Sequence, residues 1–158
     1  MQKGTIGEVH VHVDAPPAAV YAVVSDVTRM GEWSPETTKC EWVGGATGPA
    51  VGARFKGSNK RGILRWSTTP TVVTADPGKA FAFDVNGDVM WTYRLESEDG
   101  GTRLSESFEM LKDLRWYYAV VERWVMGVKD RKADLEQGMR TTLERIKTVV
   151  ESEASAPS

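Results

Sequence analysis

The chain has 158 residues, of which 41% are hydrophobic and 27% are charged, and these proportions exclude a wholly disordered protein. A chain of this length is expected to form one domain around one core. With 20 basic and 22 acidic side chains, its formal net charge is -2, which provides no strong positive field for binding a phosphate backbone. We therefore expect no nucleic-acid partner.

The beginning of the chain, from Met1 to Gly7, lacks the apolar run of a signal peptide. No later segment approaches the roughly 20 apolar residues that a membrane-spanning helix needs. These features predict a cytoplasmic protein with no integral membrane segment.

The first predicted element is a β-strand that ends at Asp14. Apolar and polar residues alternate along it, which predicts one buried face: Val9, Val11 and Val13 against Glu8, His10 and His12. Asp14 is expected to cap the following helix, whose first turn contains Pro16 and Pro17. A second short helix is predicted over residues 28–33, because Pro35 disfavours helical geometry in the residue before it.

Six extended segments follow, separated by turns rich in Gly, Asp and Asn, a pattern typical of an antiparallel meander. They cover residues 37–43, 53–58, 63–74, 80–85, 89–98 and 102–110. Within the third segment, Pro70 predicts a bulge or an edge position. Within the first, alternation places Thr38, Cys40 and Trp42 on one face, so Cys40, the only cysteine, is interpreted as a packed thiol.

The last predicted element is a long helix that runs from Asp130 to about Glu151. Its apolar residues recur with a period near 3.6 and form one stripe: Leu135, Met139, Leu143, Ile146 and Val150. At ~1.5 Å per residue the helix is ~30 Å long, which is enough to cross the concave face of a twisted sheet. Residues 152–158 are predicted to form a disordered tail.

The order of strand, two short helices, six strands and a long helix is of α+β type. Six sequence pieces occur in a characteristic order along it: VDAPPAAVY at 13–21, the segment 25–35 with its Trp-Ser-Pro ending, VGARF at 51–55, WST at 66–68, Pro-Gly before FAF at 81–83, and GTRLSES at 101–107. Together these pieces, which lie between Gly4 and about Val150, resemble the polyketide cyclase/dehydrase branch of the START-like, or SRPBCC, superfamily.

This resemblance implies the Bet v 1-like helix-grip fold, in which a seven-stranded antiparallel sheet wraps around the long C-terminal helix and two short helices follow strand one. It also implies a deep ligand cavity between sheet and helix, within a single START-like domain over residues 1–151. It does not imply one activity, because the superfamily contains ring cyclases, lipid carriers, hormone receptors and chaperone activators.

Glu106 is the most informative polar residue of the predicted cavity. Alternation places it with Leu104, Phe108 and Met110 on the inward face of the last strand. A carboxylate on an apolar face is costly to bury unless it is paired or protonated, and such positions are often functional. Two interpretations stay open: Glu106 contacts the ligand, or it pairs with a nearby Arg or Tyr at the cavity rim.

An aromatic wall is predicted on the neighbouring strands. Trp91 and Tyr93 alternate with polar residues and point inward, and Trp66 and Thr68 share a face on their own strand. Such a wall suits an amphipathic ligand, although aromatic rings also fill ordinary cores. The residues predicted to contact the ligand are Trp33, Asn59, Trp66, Thr68, Trp91, Tyr93, Glu106, Phe108, Trp116, Tyr117 and Met139. If the protein is an enzyme, Glu106 and Tyr93 are the candidates for catalysis.

Residues 111–129 carry aromatic side chains on every side, among them Trp116, Tyr117 and Trp124. We interpret this segment as a lid or mouth of the cavity, or as an interface. The alternative is an early start of the long helix packed on the sheet.

Motifs for metals and cofactors are absent from the sequence. His10 and His12 are two residues apart, but alternation places them opposite the valines, so we expect surface histidines. The glycine-rich loop at 44–48 lacks the Gly-Lys-Ser/Thr ending of a phosphate-binding loop. No metal and no cofactor are therefore expected.

The predicted fold leaves three functions open. The favoured one is binding of a small hydrophobic or amphipathic molecule, lipid or polyketide-like, in an internal cavity by a carrier or sensor. The alternative is a polyketide cyclase/dehydrase that uses the same cavity for positioning and acid/base chemistry. The third is a protein-interaction module similar to chaperone activators, which would use the outer sheet face or residues 111–129. The chain is expected to be a monomer or a homodimer.

Overall fold

The computed structural model describes residues 1–113 and 131–155. Within these ranges the elements are, in chain order, β1 (Ile6–Val13), α1 (Pro17–Val24), a 3-10 helix (Val27–Glu32), β2 (Thr37–Val43), β3 (Arg54–Arg61), β4 (Leu64–Thr68), β5 (Thr71–Asp76), β6 (Ala80–Val85), β7 (Val89–Glu98), β8 (Gly101–Met110) and α2 (Arg131–Ala154). The predicted α+β class is confirmed.

The strands form one antiparallel sheet whose continuous path has the order β1-β8-β7-β6-β5-β3-β2. The number of strands on this path, seven, is the predicted number. An additional strand, β4, lies off the path and forms a hairpin with β3. The sheet curls into a half-barrel. Helix α2 lies on its concave side and contacts β1 and β8. The helix-grip arrangement is therefore confirmed.

The segment predicted as one strand over residues 63–74 forms two strands, β4 and β5. Pro70 lies between them, where its missing N–H interrupts no strand pairing, and its carbonyl accepts a hydrogen bond from the Phe55 N–H over 3.2 Å. The register of β5 with β6 then shifts between Val72 and Thr74. The prediction of one continuous extended segment over residues 63–74 is therefore wrong. The irregularity that we expected at Pro70 is a break between two strands.

The turn after β1 also differs from its prediction. Helix α1 begins at Pro17, and Pro16 before it has extended geometry with no side-chain cap. Asp14 lies too early in the chain to cap the first turn. Its carboxylate instead lies 3.1 Å from His12 Nε2, and its N–H donates to Glu151 Oε2 of α2 over 2.9 Å. The predicted cap is wrong, whereas the position of the two prolines is confirmed.

The second short helix, predicted over residues 28–33, is the 3-10 helix. Asp26 caps it by accepting a hydrogen bond from the Thr28 N–H, and Trp33 at its end is fully buried. This helix packs against β2.

Helix α2 turns the predicted apolar stripe toward the sheet. Its buried residues include Met139, Leu143, Ile146 and Val150, and Leu135 is partly buried. Lys147 fastens the helix to β1 because its Nζ donates to the His12 carbonyl over 2.6 Å. The helix ends at Ala154 rather than near Glu151, so the first residues of the predicted tail are helical. No helix within residues 1–113 and 131–155 is long and apolar enough to cross a membrane.

Leu143→Ala is expected to lower the free energy of unfolding by ~2 to 5 kcal/mol, because the side chain is 1% exposed and its loss opens a hole between α2 and the sheet. Denaturant titration measures the change. Arg145→Ala, at an exposed position of the same helix, is the control and should stay within ~0.5 kcal/mol. Equal losses in the two variants would contradict the assigned helix face.

Candidate functional site

The described residues line a cavity of about 670 Å³ between the concave face of the sheet and the first half of α2. This volume falls within the range of roughly 300 to 1,000 Å³ that is usual for small-molecule sites. Its apolar wall combines side chains from the 3-10 helix, four strands and α2: Met30, Phe55, Trp66, Phe83, Trp91 and Met139. The geometry therefore fits a largely apolar molecule.

Glu106 and Tyr93 lie together on the wall of this cavity. The register of β7 and β8 places them directly opposite each other, and they are 5% and 4% exposed. The Tyr93 hydroxyl donates to Glu106 Oε1 over 3.3 Å, which is a long and therefore weak hydrogen bond. Glu106 Oε2 is buried and has no hydrogen-bond partner in the described part of the chain. One carboxyl oxygen is thus available to a bound molecule.

The environment of the pair keeps both groups neutral. Burial raises the pKa of Glu106 to about 8, and the hydrogen bond from Tyr93 offsets part of this rise. Burial also raises the pKa of Tyr93 well above its usual value, and the adjacent Glu106 adds to the shift. At neutral pH both side chains therefore carry a proton. A protonated Glu106 can donate a hydrogen bond to a carbonyl or hydroxyl oxygen.

A β-bulge decides which residues of β2 face the cavity. The register with β3 shifts between Thr37 and Lys39, so that Thr37 lines the cavity and Thr38 is exposed. The prediction that Thr38 shares a face with Cys40 is wrong, because the extra residue of a bulge reverses the alternation. The Thr37 hydroxyl donates to Asn59 Oδ1 over 2.9 Å. The amide of Asn59 is therefore already partly engaged within the wall.

Most residues predicted to contact the ligand line the cavity: Trp33, Asn59, Trp66, Thr68, Trp91, Tyr93, Glu106 and Met139. Phe108 is not among the lining residues. Its ring covers Gly7 of β1 so closely that a Cβ there would clash, and it also packs beside Trp91, with ring centroids 5.7 Å apart. Trp116 and Tyr117 lie outside the described residues, as does most of the predicted lid at 111–129. Ligand contact stays a prediction for the whole set.

An ionic cluster at the rim joins β3 to the beginning of α2. Arg61 donates to both carboxylate oxygens of Asp134, over 2.5 and 2.7 Å, and Arg131 donates to the same carboxylate over 2.8 Å. Glu36 lies 3.3 Å from Arg61 and 3.6 Å from Arg131. The hydrogen bonds from Arg61 lower the pKa of Asp134. Sequence reasoning missed this cluster because Arg61 and Asp134 are 73 residues apart and no local pattern relates them.

Cys40 also lines the cavity and is buried, as predicted for a packed thiol. Its Sγ lies 3.8 Å from Met30 Sδ. Burial raises the pKa of the Cys40 thiol to about 11, so the sulfur stays protonated at neutral pH. A buried thiol in this state is a poor nucleophile.

The two histidines of β1 are not buried in the core. His10 is exposed, and His12 Nδ1 lies 2.9 Å from Glu98 Oε2. The hydrogen bond with Glu98 raises the pKa of His12, and Asp14 adds to the shift. Across residues 1–113 and 131–155, no group of three or more His, Cys, Asp or Glu side chains is arranged to hold a metal ion.

Solved structures of other proteins share this fold. The Polyketide_cyc-like protein Cgl2372 from Corynebacterium glutamicum is 34% identical, with a TM-score of 0.65 over 98% of this chain and 96% of that chain. The Zhui aromatase/cyclase from Streptomyces sp. R1128 is 18% identical, with a TM-score of 0.71 over 96% of each chain. The AHSA1-like protein from Aeromonas hydrophila is 18% identical, with a TM-score of 0.66 over 98% and 97%. The last two similarities show the fold alone.

A comparison with curated proteins gives no match. A family model described as polyketide cyclase / dehydrase and lipid transport matches residues 5–151. This range contains both Glu106 and Tyr93 and all the cavity residues named above. The chain therefore belongs to the polyketide cyclase/dehydrase and lipid transport family.

Proposed function

We propose that the protein binds a small hydrophobic or amphipathic molecule, lipid or polyketide-like, in this cavity and acts as a carrier or sensor. The main support is Glu106 Oε2, a buried oxygen with no hydrogen-bond partner among the described residues, on the wall of a cavity rich in aromatic side chains. Leaving such an atom unpaired costs ~1 to 3 kcal/mol. A ligand that supplies the missing partner recovers this cost when it binds.

The aromatic wall provides the rest of the affinity. Phe55 and Phe83 meet edge to face with ring centroids 5.2 Å apart, and Trp91 lies on the adjacent strand. Apolar surface removed from water on such a wall contributes roughly 25 cal/mol per Å². The body of the ligand is therefore a ring system or an acyl chain.

The polar end of the ligand is neutral in this proposal. Protonated Glu106 donates to a carbonyl or hydroxyl oxygen, whereas a ligand carboxylate would bring a negative charge into a low-dielectric interior. Arg61, at the cavity rim, is already engaged by Asp134 and Glu36 and is not available as a counter-charge. A hydroxyl or a carbonyl is thus the polar group that this site suits best.

A polyketide cyclase/dehydrase is the second candidate, and it rests on the same pair. Two adjacent O–H groups, on Tyr93 and Glu106, could polarise a substrate carbonyl as general acids. Such a reaction also needs a group that accepts a proton. Among the described polar side chains that line the cavity, Cys40 is a protonated thiol and Asn59 is an amide, and neither is a base. The carboxylates of Glu36 and Asp134 also line the cavity, but both are held in ion pairs with Arg61 at the rim. The carrier or sensor is therefore favoured.

A hydrophobic fluorescent probe is expected to bind with saturation and to be displaced by fatty alcohols or polyaromatic compounds. Thr37→Trp places an indole in the cavity and should weaken probe binding at least about tenfold. Thr38→Trp is the matched control, because the neighbouring side chain is exposed, and it should leave affinity unchanged. Circular dichroism verifies that both variants are folded. Equal affinities in the two variants would contradict the cavity as the binding site.

The role of Glu106 in binding is tested with paired competitors. A fatty alcohol should displace the probe about fivefold better than the alkyl chloride of equal chain length, because one hydrogen bond to a buried group is worth about 1 kcal/mol. Glu106→Leu is expected to abolish this preference while keeping affinity for the chloride. A preference that survives in Glu106→Leu would show that the polar end binds elsewhere.

Glu106→Gln is expected to remove a pH dependence of stability. In the unfolded chain Glu106 loses its proton near pH 4.5, whereas the folded protein retains it to about pH 8. Between these values the folded state binds the additional proton, so the free energy of unfolding of the wild type falls as pH rises and levels off above pH 8. The fall is on the order of 3 to 5 kcal/mol.

Urea titrations across this pH interval measure the effect. Glu109→Gln changes an exposed carboxylate on the same strand and should retain the wild-type pH dependence. Parallel curves for the wild type and Glu106→Gln would refute the buried, protonated state of Glu106.

A further inference from the structure

The hairpin of β3 and β4 carries an apolar residue at its tip. Gly62 and Ile63 form the two-residue turn between the paired residues Arg61 and Leu64. Ile63 is 92% exposed. Leu64, the next residue, is half-buried, so the exposed apolar surface of the turn belongs to Ile63.

The turn itself does not require an isoleucine. A tight hairpin turn requires a positive φ at its first central position, and Gly62 supplies it with a φ of 60°. The second central position is commonly Asn, Asp or Ser, residues that stay in water without cost. A β-branched apolar side chain there gains nothing from the fold, because it is almost entirely exposed.

Two cations lie beside this tip. The register pairs Lys60 of β3 directly with Arg65 of β4, and both side chains are exposed. Like charges in directly opposed positions destabilise a hairpin. In the described part of the chain, neither Lys60 nor Arg65 has a salt-bridge partner, whereas Arg61 is engaged by Asp134 and Glu36. The protein thus holds two adjacent uncompensated cations next to an exposed isoleucine, although its formal net charge is -2.

The same hairpin forms part of the cavity wall. Asn59 and Trp66, which pair with each other one step from the Lys60 and Arg65 pair, line the cavity. Gly62 of the turn also lines it, so the tip lies at the rim. A surface that contacts Ile63 would therefore lie at the entrance to the cavity.

We propose that the β3–β4 hairpin is a docking site for anionic membrane surfaces. Ile63 enters the boundary between headgroups and acyl chains, and Lys60 and Arg65 bind lipid phosphates on either side of it. The exposed apolar tip suits the acyl-chain side of this boundary, and the flanking cations suit its phosphate side. For this reason we favour a membrane over an acidic protein. The docking itself does not depend on the ligand, but its use for loading or releasing a lipid through the adjacent rim rests on the proposed function.

Sedimentation with lipid vesicles tests this proposal on the full chain. The protein should bind vesicles that contain phosphatidylglycerol at least about tenfold more tightly than pure phosphatidylcholine vesicles, and added salt should weaken the binding. Ile63→Ser should weaken it about tenfold, since it removes a buried apolar side chain. Lys60→Gln and Arg65→Gln should each weaken it about fivefold.

Matched controls lie at the opposite end of the sheet. Val51→Ser removes another exposed apolar residue, 71% exposed, and Lys79→Gln removes another exposed cation. Val51 precedes Gly52, which bonds to Val72, and Lys79 lies in the turn between β5 and β6, so both are remote from the hairpin tip by the register of β3 and β5. Neither control should change vesicle affinity by more than about twofold. Equal effects of Val51→Ser and Ile63→Ser would overturn the proposal.

Probe binding in the cavity separates this proposal from the proposed function. Ile63→Ser and Arg65→Gln, whose side chains do not line the cavity, should bind the hydrophobic probe as the wild type does. A wild-type protein that binds the probe but not the anionic vesicles would overturn the docking site and leave the cavity function standing. If the substitutions at Ile63, Lys60 and Arg65 weaken vesicle binding but the wild type binds no probe, the docking site would stand and the cavity function would be overturned. Retention on polyglutamate but not on anionic vesicles would assign the hairpin to an acidic protein partner and overturn the membrane proposal.

Discussion

The pairing of β7 with β8 is the constraint on which the site depends. The two strands pair without a shift from Val89 and Met110 to Glu98 and Gly101, so every second residue along both points toward the interior. A slip by one residue would turn the whole apolar set to solvent, so the register is strongly specified. The same register brings Tyr93 and Glu106 to one point of the inner wall. The polar pair is therefore held inside by the energy of the apolar residues around it.

Helix α2 supports the sheet without filling the space beneath it. Its second half packs closely, with Ile146 and Val150 buried in the core and Lys147 bonded to the β1 backbone. Its first half is joined to β3 through Asp134 and Arg61 at the rim, and Met139 lines the cavity there. The helix is thus fixed at both ends by polar contacts, which allows the interior between them to remain open. A cavity of this kind costs dispersion contacts, and these contacts return when a ligand occupies it.

Local patterns in the sequence predicted those parts of the fold that depend on neighbouring residues. Alternation found the inward face of β8, and the period of 3.6 found the stripe of α2. The errors lie where alternation is interrupted. One is the break around Pro70, and the other is the bulge that turns Thr37 rather than Thr38 toward the cavity. The pairing of Tyr93 with Glu106 could have been predicted from the sequence, because counting outward from the two-residue turn at 99–100 places the two residues opposite each other. The ionic cluster at the rim could not have been predicted, because only the folded chain brings Arg61 next to Asp134.

The distribution of hydrogen bonds inside the cavity bears on the choice between binding and catalysis. The Thr37 hydroxyl is committed to Asn59, and the Thr142 hydroxyl donates to the Gly138 carbonyl of its own helix. Among the described residues, the buried side-chain atom left without a partner is Glu106 Oε2. An interior with one unpaired group can orient a molecule but has few means of moving a proton along a path. An apolar residue in place of Glu106 would avoid the cost of burying this carboxyl group, and the ligand contact that we propose for Glu106 would supply the partner that its Oε2 lacks.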